Sequence, residues 1–441
     1  MKIGIVTPGG FDRSGAERVI PVFLCLAQRL ARTHEVHVFT LRQGPDEEQY
    51  PLLGATVHNV GDRGGSRRSG EIVARTIHAI GCEHRRGRFT VLHGLWAAAS
   101  GLAAAVAGKM WGIPTVVSVA GGEMARLPEI GYGSQVSLKA RMEVTLCLRL
   151  ADAVTSASEW MCRPIRQYRP DVRHVVMGVD TDVFHAGRQP DPTARAVGSG
   201  SQPPPGGSGQ DRGTAQTARR DFPIRLPPFG RTGVGACVNH ARTAAGPGAG
   251  VNCAGPGAGA SEFRLLHVAS LNRVKDQPTL LRAFREIVSA EPRARLDIVG
   301  VDTLDGAIQQ FARDLGLDEA VTFHGHRRSD EVAAFLRQSH LLLHSSLSEM
   351  GPIVCLEAAA CGVPTVGTAV GLIDDLAPRA AIAVPVGDHH ALARAAIALL
   401  RDEPARRALG NRALAFARAH DAGWTASQFE RIYARLDGPT Y

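Results

Sequence analysis

Residues 340–368, HLLLHSSLSEMGPIVCLEAAACGVPTVGT, contain a complete strand–loop–helix–strand pattern. The apolar runs at 340–345 and 364–368 predict strands, and the segment between them predicts a helix over 352–361. Pro352 fits the first helical position, where the missing N–H of proline costs nothing. Because both strands are apolar along their whole length, the stretch is typical of a parallel sheet that is covered on both faces.

The same alternation of strands and helices runs through two long parts of the chain, residues 1–187 and 262–419. Strands are predicted in the first part at 2–7, 35–40, 89–93, 114–119, 153–157 and 173–177, and in the second at 263–269, 294–299, 320–325, 340–345, 364–368 and 381–386. Helices are predicted near 15–31, 69–80, 96–109, 135–150, 158–167, 277–289, 305–315, 329–338, 352–361, 388–401, 403–418 and 423–436. We therefore predict an α/β protein with two Rossmann-like, doubly wound parallel-sheet domains that face each other across a ligand-binding cleft.

A segment of different composition, residues 188–261, separates the two parts. It is dominated by Gly, Pro, Ala, Ser and Arg, and the hexapeptide AGPGAG occurs in it at 245–250 and again at 254–259. Such a segment buries too little apolar surface to offset the entropy that ordering costs. We predict that it is a disordered insertion.

Composition limits the classes of partner. The 441 residues are 44% hydrophobic and 21% charged, with a formal net charge of +8, which favours phosphorylated small molecules or an acidic membrane surface. Aromatic residues make up only 5%, which argues against a nucleic-acid partner. The eight cysteines form no regular framework, and the N-terminus lacks the pattern of a signal peptide, so we expect a cytoplasmic protein with reduced thiols.

Two acids in the opening stretch, Glu349 and Glu357, are candidates for chemistry. The free N–H groups at the start of the 352–361 helix attract anions or polarised oxygens, and Glu349 lies on the loop just before them. Glu357 is surrounded in sequence by apolar residues, and a charge in such company usually has a ligand or a partner. A carboxylate there can accept two hydrogen bonds from a vicinal diol such as a ribose.

The spacing Glu349-x7-Glu357, continued by EAAACGVPTV, resembles the donor-site motif of the family 4 retaining glycosyltransferases, which have the GT-B fold. Further matches are SGAERVIPVFLCLAQRL (14–30), ADAVTSASEW (151–160), GVDTDVF (178–184) and LLHVASLNRVKDQPTLLRAF (265–284). The resemblance covers both alternating parts and leaves out the insertion. It implies transfer of a sugar from a nucleoside diphosphate sugar, which binds the C-terminal domain, to an acceptor that binds the N-terminal domain.

The resemblance also implies roles for particular residues. Glu357 would hold the donor ribose and Lys275 would contact the diphosphate. The sugar would face Glu349 and the backbone of Gly351, Pro352 and Ile353. A fixed cation and helix-end N–H groups would stabilise the leaving diphosphate most strongly in the transition state.

The sequence departs from the family pattern at two places. Ser270 stands where the family usually has an Arg, and Arg273 is our candidate for supplying the missing charge. In the N-terminal part, AGGEM (120–124) replaces a segment that carries a His in many members. Glu123 is the ionisable group there, and a sugar contact and a plain loop acid explain it equally well.

Other acceptor-side candidates come from strand ends. The loop after the first strand contains Gly10 and Gly15, which permit close approach of the backbone to a ligand. His93 is a weaker candidate, because a His at a strand end is more often structural.

The pair Asp180 and Asp182 has the spacing of a metal-binding motif. By resemblance it lies in the interdomain hinge, so we interpret Asp180 as a turn residue and expect neither a metal ion nor a resident cofactor. The last segment, 420–441, resembles the crossover helix of the family, which returns to the first domain. Its predicted buried stripe is Trp424, Phe429, Ile432 and Tyr433.

The leading hypothesis is a retaining, metal-independent glycosyltransferase of the hexosyltransferase type, acting in polysaccharide, cell-envelope or glycolipid synthesis. Its partners would be a nucleotide-sugar donor, an acceptor that the sequence does not identify, and an acidic membrane surface in peripheral contact. Two alternatives remain at this point: a nucleotide-sugar epimerase of the same fold, and a non-catalytic nucleotide-sugar binding protein.

Overall fold

The computed structural model describes residues 1–63, 69–187 and 262–437. The predicted insertion at 188–261 therefore lies outside the described residues. Two sheets belong to one compact unit. None of the described helices has the length and hydropathy that crossing a bilayer requires.

The first sheet has eight strands in the order β3-β4-β2-β1-β5-β6-β7-β8. Its strands are β1 (Lys2–Thr7), β2 (Glu35–Thr40), β3 (Glu48–Leu52), β4 (Ala55–Asn59), β5 (Val91–Leu95), β6 (Thr115–Val119), β7 (Ala153–Ser156) and β8 (Arg173–His174). All neighbours are parallel except β3 and β4. The helices of this part are α1 (Pro21–Leu30), α2 (Ser69–Arg86), α3 (Ala99–Trp111), α4 (Leu138–Leu150) and α5 (Glu159–Ile165).

The second sheet has six strands, all parallel, in the order β11-β10-β9-β12-β13-β14. They are β9 (Phe263–Val268), β10 (Ala294–Val299), β11 (Val321–Gly325), β12 (Leu341–His344), β13 (Thr365–Thr368) and β14 (Ala381–Val384). Helices of this part are α6 (Gln277–Ala290), α7 (Ala307–Asp314), α8 (Ser329–Gln338), α9 (Ile353–Ala360), α10 (Leu372–Leu376), α11 (His389–Arg401), α12 (Glu403–Ala419) and α13 (Ala422–Asp437). The strand order reverses between β9 and β12, and ligands of doubly wound sheets bind at such a reversal.

The predicted α/β architecture with two parallel sheets is confirmed, but the hairpin β3–β4 and the short helix α10 were not predicted. In β3, only Tyr50 and Leu52 are buried, and Pro51 interrupts the apolar pattern. Proline is tolerated there because β3 is the edge strand. The helix predicted over 15–31 begins only at Pro21, since the chain before it forms a loop in which Gly15 has a φ of +65°.

The last helix, α13, packs on the first sheet although it follows the second one in the chain. Phe429, Ile432 and Tyr433 are buried in the core of the first sheet, and Trp424 is partly buried beside them. The Thr425 hydroxyl donates a hydrogen bond to the carbonyl of Val176 (2.8 Å), which fixes the start of α13 against the end of the first part. The predicted crossover helix and its buried stripe are thus present.

A second contact joins the two parts near the cleft. The carboxylate of Asp375 in α10 accepts hydrogen bonds from the backbone N–H groups of Glu159 (2.6 Å) and Trp160 (2.9 Å). These N–H groups belong to the first turn of α5, where a carboxylate is favoured by the helix dipole. Asp375 therefore links α10 of the second part to α5 of the first part through two hydrogen bonds.

Candidate active site

Two loops meet at the carboxyl ends of β9 and β12 and bring a cation and an anion together. Lys275 ends a short 3-10 turn after β9, and Glu349 lies in the loop after β12. The Lys275 ammonium and the Glu349 carboxylate form an ion pair, with 23% and 13% of the two side chains exposed. The Ser345 hydroxyl donates a hydrogen bond to the carbonyl of Lys275 (2.7 Å), so the two loops are also joined through the backbone.

Glu349 is held in its ionised form. Burial disfavours the charged carboxylate, but the Lys275 ammonium together with hydrogen bonds from Lys275 and Ser346 lowers the pKa of Glu349. The hydroxyl of Ser346 donates a further hydrogen bond to Glu349 Oε1 (2.7 Å). The pair is therefore a fixed salt bridge at the point where the strand order reverses.

Two buried histidines beneath this pair were not predicted. His344 Nε2 lies 3.6 Å from Glu349 Oε1, and burial lowers the pKa of His344 to about 3. His267 Nδ1 donates a hydrogen bond to the carbonyl of Leu343 (3.0 Å), and burial lowers the pKa of His267 to about 4. Both rings are neutral at physiological pH, so Lys275 supplies the positive charge beside Glu349. The signal in the sequence was a His inside each of two apolar strands, directly before the loops of the site.

Helix α9 begins at the same edge. We had predicted Pro352 as the first helical residue, but it is the N-cap of α9, because its ψ of 104° is extended. Gly351 lies just before it, and a Cβ at Gly351 would be 3.2 Å from the Cβ of Ala157 in the first part. The first turn of α9, starting at Ile353, carries no acidic side chain that would compete with an anion for its free N–H groups.

Glu357, one turn further along α9, is a carboxylate that pairs with no other side chain in the described part of the molecule. Among the described residues it forms no side-chain hydrogen bond and no ion pair, and burial raises its pKa to about 7. It lines an open cavity of about 370 Å³ to which both parts of the chain contribute residues. The cavity is also lined by Gly15, Val22, Asp180, Arg328 and Ile353.

Gly10 and Gly15 shape the loop that the first part contributes. Gly10 has a φ of +90°, and a Cβ there would lie 2.7 Å from Ile20, so only glycine fits. The Gly10 N–H donates a hydrogen bond to Gln43 Oε1 (2.6 Å), so this N–H is used in holding the loop itself. Gly15 lines the cavity directly.

The interpretation of His93 as an acceptor-side residue is wrong. The ring lies within β5 and is fully buried, with Nδ1 2.7 Å from the Tyr433 hydroxyl and Nε2 2.7 Å from the Ser118 hydroxyl. Both ring nitrogens are therefore satisfied inside the core, where they join β5 to β6 and α13.

The interpretation of Glu123 as a sugar contact is also contradicted. The side chain is fully buried, and its carboxylate accepts hydrogen bonds from the N–H groups of Ala97 (2.9 Å), Ala120 (3.1 Å) and Gly121 (2.6 Å). Its lone pairs are used to hold the loops after β5 and β6 together. Glu123 is a structural carboxylate.

Replacing Glu123 by Ala should destabilise the protein by about 2–4 kcal/mol, because it leaves buried N–H groups of Ala97, Ala120 and Gly121 without an acceptor. Urea unfolding measures this loss. Glu123→Gln retains one acceptor oxygen and should lose less. A Glu123→Ala protein as stable as the wild type would contradict the structural role.

Arg273 and Ser270 lie beside the pair. Arg273 is exposed, two residues before Lys275 on the same turn, and its compensating role stays a prediction. The carbonyl of Ser270 accepts a hydrogen bond from Gln277 Nε2 (3.1 Å), which ties the loop to the start of α6.

The Asp180 carboxylate already accepts hydrogen bonds from other groups of the chain. Its carboxylate accepts from Arg29 Nη2 (3.3 Å) and from the N–H of Asp182 (3.1 Å), which makes it a turn residue. Within the described ranges, two clusters bring three potential metal ligands together. One is His37, His58 and Glu83, and the other is Glu286, His389 and His390. Neither group includes Asp180 or Asp182.

Comparison with family models matches both parts of the chain. Residues 19–179 match the glycosyl transferase 4-like domain, and residues 256–416 match glycosyl transferases group 1. The chain is similar to N-acetyl-alpha-D-glucosaminyl L-malate synthase of Bacillus anthracis, at 37% identity over 35% of this chain and 40% of that enzyme. That match spans less than half of the relative. A longer match, to D-inositol 3-phosphate glycosyltransferase of Arthrobacter sp. (strain FB24), has 24% identity over 98% of this chain and 92% of that protein.

Solved structures share the fold over the whole length. Sucrose-phosphate synthase from Thermosynechococcus elongatus superposes with a TM-score of 0.73 and 18% identity, covering 99% of each chain. Anabaena HepE in complex with UDP and glucose gives a TM-score of 0.65 and 15% identity, covering 99% of this chain and 100% of that one. Two parallel-sheet domains in the GT-B arrangement are therefore common to these proteins.

Proposed function

Because the chain belongs to the glycosyl transferases group 1 family and is a glycosyltransferase, we propose that it transfers a sugar from a nucleoside diphosphate sugar with retention of configuration and without a metal ion. The observation that carries this proposal is the arrangement at the carboxyl edge of the second sheet. There the Glu357 carboxylate, which pairs with no described side chain, lines a cavity, and the loops after β9 and β12 bring Lys275 and Glu349 together as an ion pair.

The donor would lie across this edge. The Glu357 carboxylate accepts hydrogen bonds from the two ribose hydroxyls, which supply the partners that it lacks in the empty protein. Lys275 contacts the diphosphate, and the start of α9 offers its free N–H groups to the same phosphates or to the sugar. The Anabaena HepE structures with UDP and with UDP-glucose support a donor of this class for the fold.

Transfer would then proceed mainly by positioning and electrostatics. As the bond from the sugar to the phosphate oxygen breaks, negative charge grows on the diphosphate, and Lys275 stabilises that charge more in the transition state than in the ground state. The leaving phosphate oxygen takes the proton of the acceptor hydroxyl, which attacks on the same face of the sugar. Glu349 orients the Lys275 ammonium and keeps it in place before the donor binds.

The acceptor belongs on the side of the first sheet. Relatives of the chain are named for L-malate, D-inositol 3-phosphate and phosphatidylinositol monomannoside, all of which are negatively charged at neutral pH. With a formal net charge of +8, this chain favours such acceptors. We propose a role in glycolipid or cell-envelope synthesis, with peripheral contact of the protein with an acidic membrane surface.

A thermal-shift screen of UDP-, GDP- and ADP-sugars tests the proposal. A donor present at about 100 times its Kd should stabilise the protein by about 2.7 kcal/mol, and so raise the melting temperature. Product analysis of the bound donor, incubated alone and with acceptors, follows. Stabilisation by none of these donors would contradict the proposal, and an epimerised nucleotide sugar formed without an acceptor would favour an epimerase instead.

Removing divalent metals should leave the transfer rate unchanged within about twofold, because Lys275 and the start of α9 supply the positive charge that a metal supplies elsewhere. The measurement compares initial rates in excess EDTA with rates in added Mn²⁺ or Mg²⁺. Loss of activity in EDTA that Mn²⁺ restores would overturn the metal-independent mechanism.

A further inference from the structure

Helix α4 has two apolar faces, only one of which is covered by other described residues. Val144, Cys147 and Leu148 are buried against the first sheet and its neighbours. On the opposite face, Leu138 is 65%, Met142 is 63% and Leu146 is 48% exposed. These three residues are spaced by four, so they form one continuous row along the outside of the helix.

Exposed large apolar side chains are clustered around this row instead of being spread evenly over the described surface. Seven large hydrophobic side chains are exposed in the described parts of the chain, and four of them lie between residues 136 and 146. The fourth is Val136, 43% exposed, just before α4. Single exposed apolar residues are normal on a protein surface, but a contiguous patch indicates an interaction site.

The row is flanked by positive charge. Lys139 and Arg141 lie on its two sides by helical spacing, and Arg149 lies within it one turn after Leu146. All three are exposed, and none of them forms an ion pair with another described residue. The single acid of the helix, Glu143, is only partly exposed. An apolar row among Lys and Arg is the pattern of helices that lie in the interface of an anionic membrane.

We infer that this face of α4, formed by Leu138, Met142 and Leu146 with their flanking cations, binds an acidic lipid surface. The inference rests on the membrane contact in the proposed function and assigns that contact to one surface. The row enters the apolar region below the headgroups, while the long basic side chains reach back to the lipid phosphates.

The charges favour a membrane over a second copy of the chain. A two-fold contact through this face would place Lys139, Arg141 and Arg149 of one copy against the same cations of the other, which is repulsive. The position of the helix fits as well. The carboxyl end of β6 and the segment that follows it lead into the N-terminus of α4, so Leu138 lies at the end of the helix nearest the cleft edge of the first sheet.

The test measures binding of the full chain to vesicles by co-sedimentation. The vesicles are neutral phosphatidylcholine alone, or phosphatidylcholine with about a third of phosphatidylglycerol. The wild type should bind the acidic vesicles and not the neutral ones. The triple variant Leu138→Ser, Met142→Ser, Leu146→Ser should bind the acidic vesicles at least about tenfold more weakly, because each serine removes an inserted apolar side chain.

A matched variant removes three exposed apolar side chains that do not share a face: Leu53→Ser, Met110→Ser and Val386→Ser. It should bind acidic vesicles like the wild type. Both variants should keep the donor-induced thermal shift, which shows that they are folded and that the donor site is intact. That readout separates a failure of this inference from a failure of the donor proposal.

Several results would overturn the inference. Equal binding of the α4 triple variant and the wild type would show that another surface contacts the membrane. Equal binding of the wild type to neutral and acidic vesicles would exclude a role for the cations. A wild type that binds no vesicles would remove the membrane contact itself, and a dimer that the triple variant converts to a monomer would assign the face to self-association.

Discussion

Replacing Lys275 by Met should lower kcat/KM for the donor by about a hundred- to a thousandfold, the effect of removing one preorganised charge stabiliser from a transition state. The Lys275 side chain is partly exposed, with 23% of it accessible. Its ammonium meets the Glu349 carboxylate at the carboxyl edge of the second sheet, where the diphosphate would be. Steady-state kinetics with the donor identified in the thermal-shift screen measure the change.

A folding defect must be separated from this loss, because Lys275→Met leaves Glu349 buried without its cation. The double variant Lys275→Met, Glu349→Gln removes both charges and should recover the melting temperature while activity stays low. Arg285→Ala removes an exposed charge from α6 and controls for net charge. Wild-type activity in Lys275→Met would reject the diphosphate contact.

Arg273→Ala should also lower turnover if Arg273 supplies the charge that Ser270 lacks. Full activity of Arg273→Ala would reject that compensation.

Replacing Glu357 by Ala should weaken donor binding by about a hundredfold, because two hydrogen bonds to a charged acceptor are lost together. The effect should appear mainly as a higher KM, with a smaller change in kcat, since the ribose is remote from the bond that breaks. Isothermal titration with the donor measures the affinity. A control is Glu319→Ala, which removes an exposed carboxylate just before β11. Unchanged donor affinity in Glu357→Ala would refute the ribose contact.

The raised pKa of Glu357, about 7, gives this site a pH dependence. The protonated carboxyl accepts hydrogen bonds less well, so donor affinity should fall as the pH drops from about 8 to 6. The variant Glu357→Gln should lack this dependence. Wild-type affinity that is independent of pH in this range would argue against an ionised Glu357 as the ribose acceptor.

Stability of the empty protein should change in the opposite direction. Burial raises the folded pKa of Glu357 to about 7 from the ordinary 4.5, so the folded state binds its proton more tightly than the unfolded state. This contribution to stability is complete below pH 4.5 and is lost as the pH rises through about 7. Glu357→Gln should therefore melt at a higher temperature than the wild type at about pH 8, by a margin that shrinks at about pH 5. Differential scanning calorimetry at the two pH values gives both differences.

Much of the fold follows from local pattern. Continuous apolar runs predict most of the parallel strands, because each strand is buried on both faces and no alternation is required. A search for continuous apolar runs does not find the hairpin β3–β4, because in β3 the buried Tyr50 and Leu52 alternate with exposed neighbours. A half-covered edge strand shows a different period from the central strands of the same sheet.

The polar residues were harder to place than the strands. His93 ends a predicted strand and Glu123 follows another, as residues of a site do, yet both are fully buried in the structure. His93 is satisfied by Tyr433, 340 residues later in the chain, and no local pattern contains that contact. Conversely, Lys275 and Glu349 are 74 residues apart and do meet, because the reversal of strand order brings the loops after β9 and β12 together.

The return of α13 to the first sheet has a consequence for biosynthesis. The α13 residues Ala426, Phe429, Ile432 and Tyr433 complete the apolar core around β1 and β5, so this core is finished only after α13 has been translated. Until then the nascent N-terminal half exposes an unfinished apolar surface, which exposes it to aggregation or chaperone capture. A polypeptide that stops before Ala422 should accumulate in inclusion bodies even though every strand of its first sheet has been made.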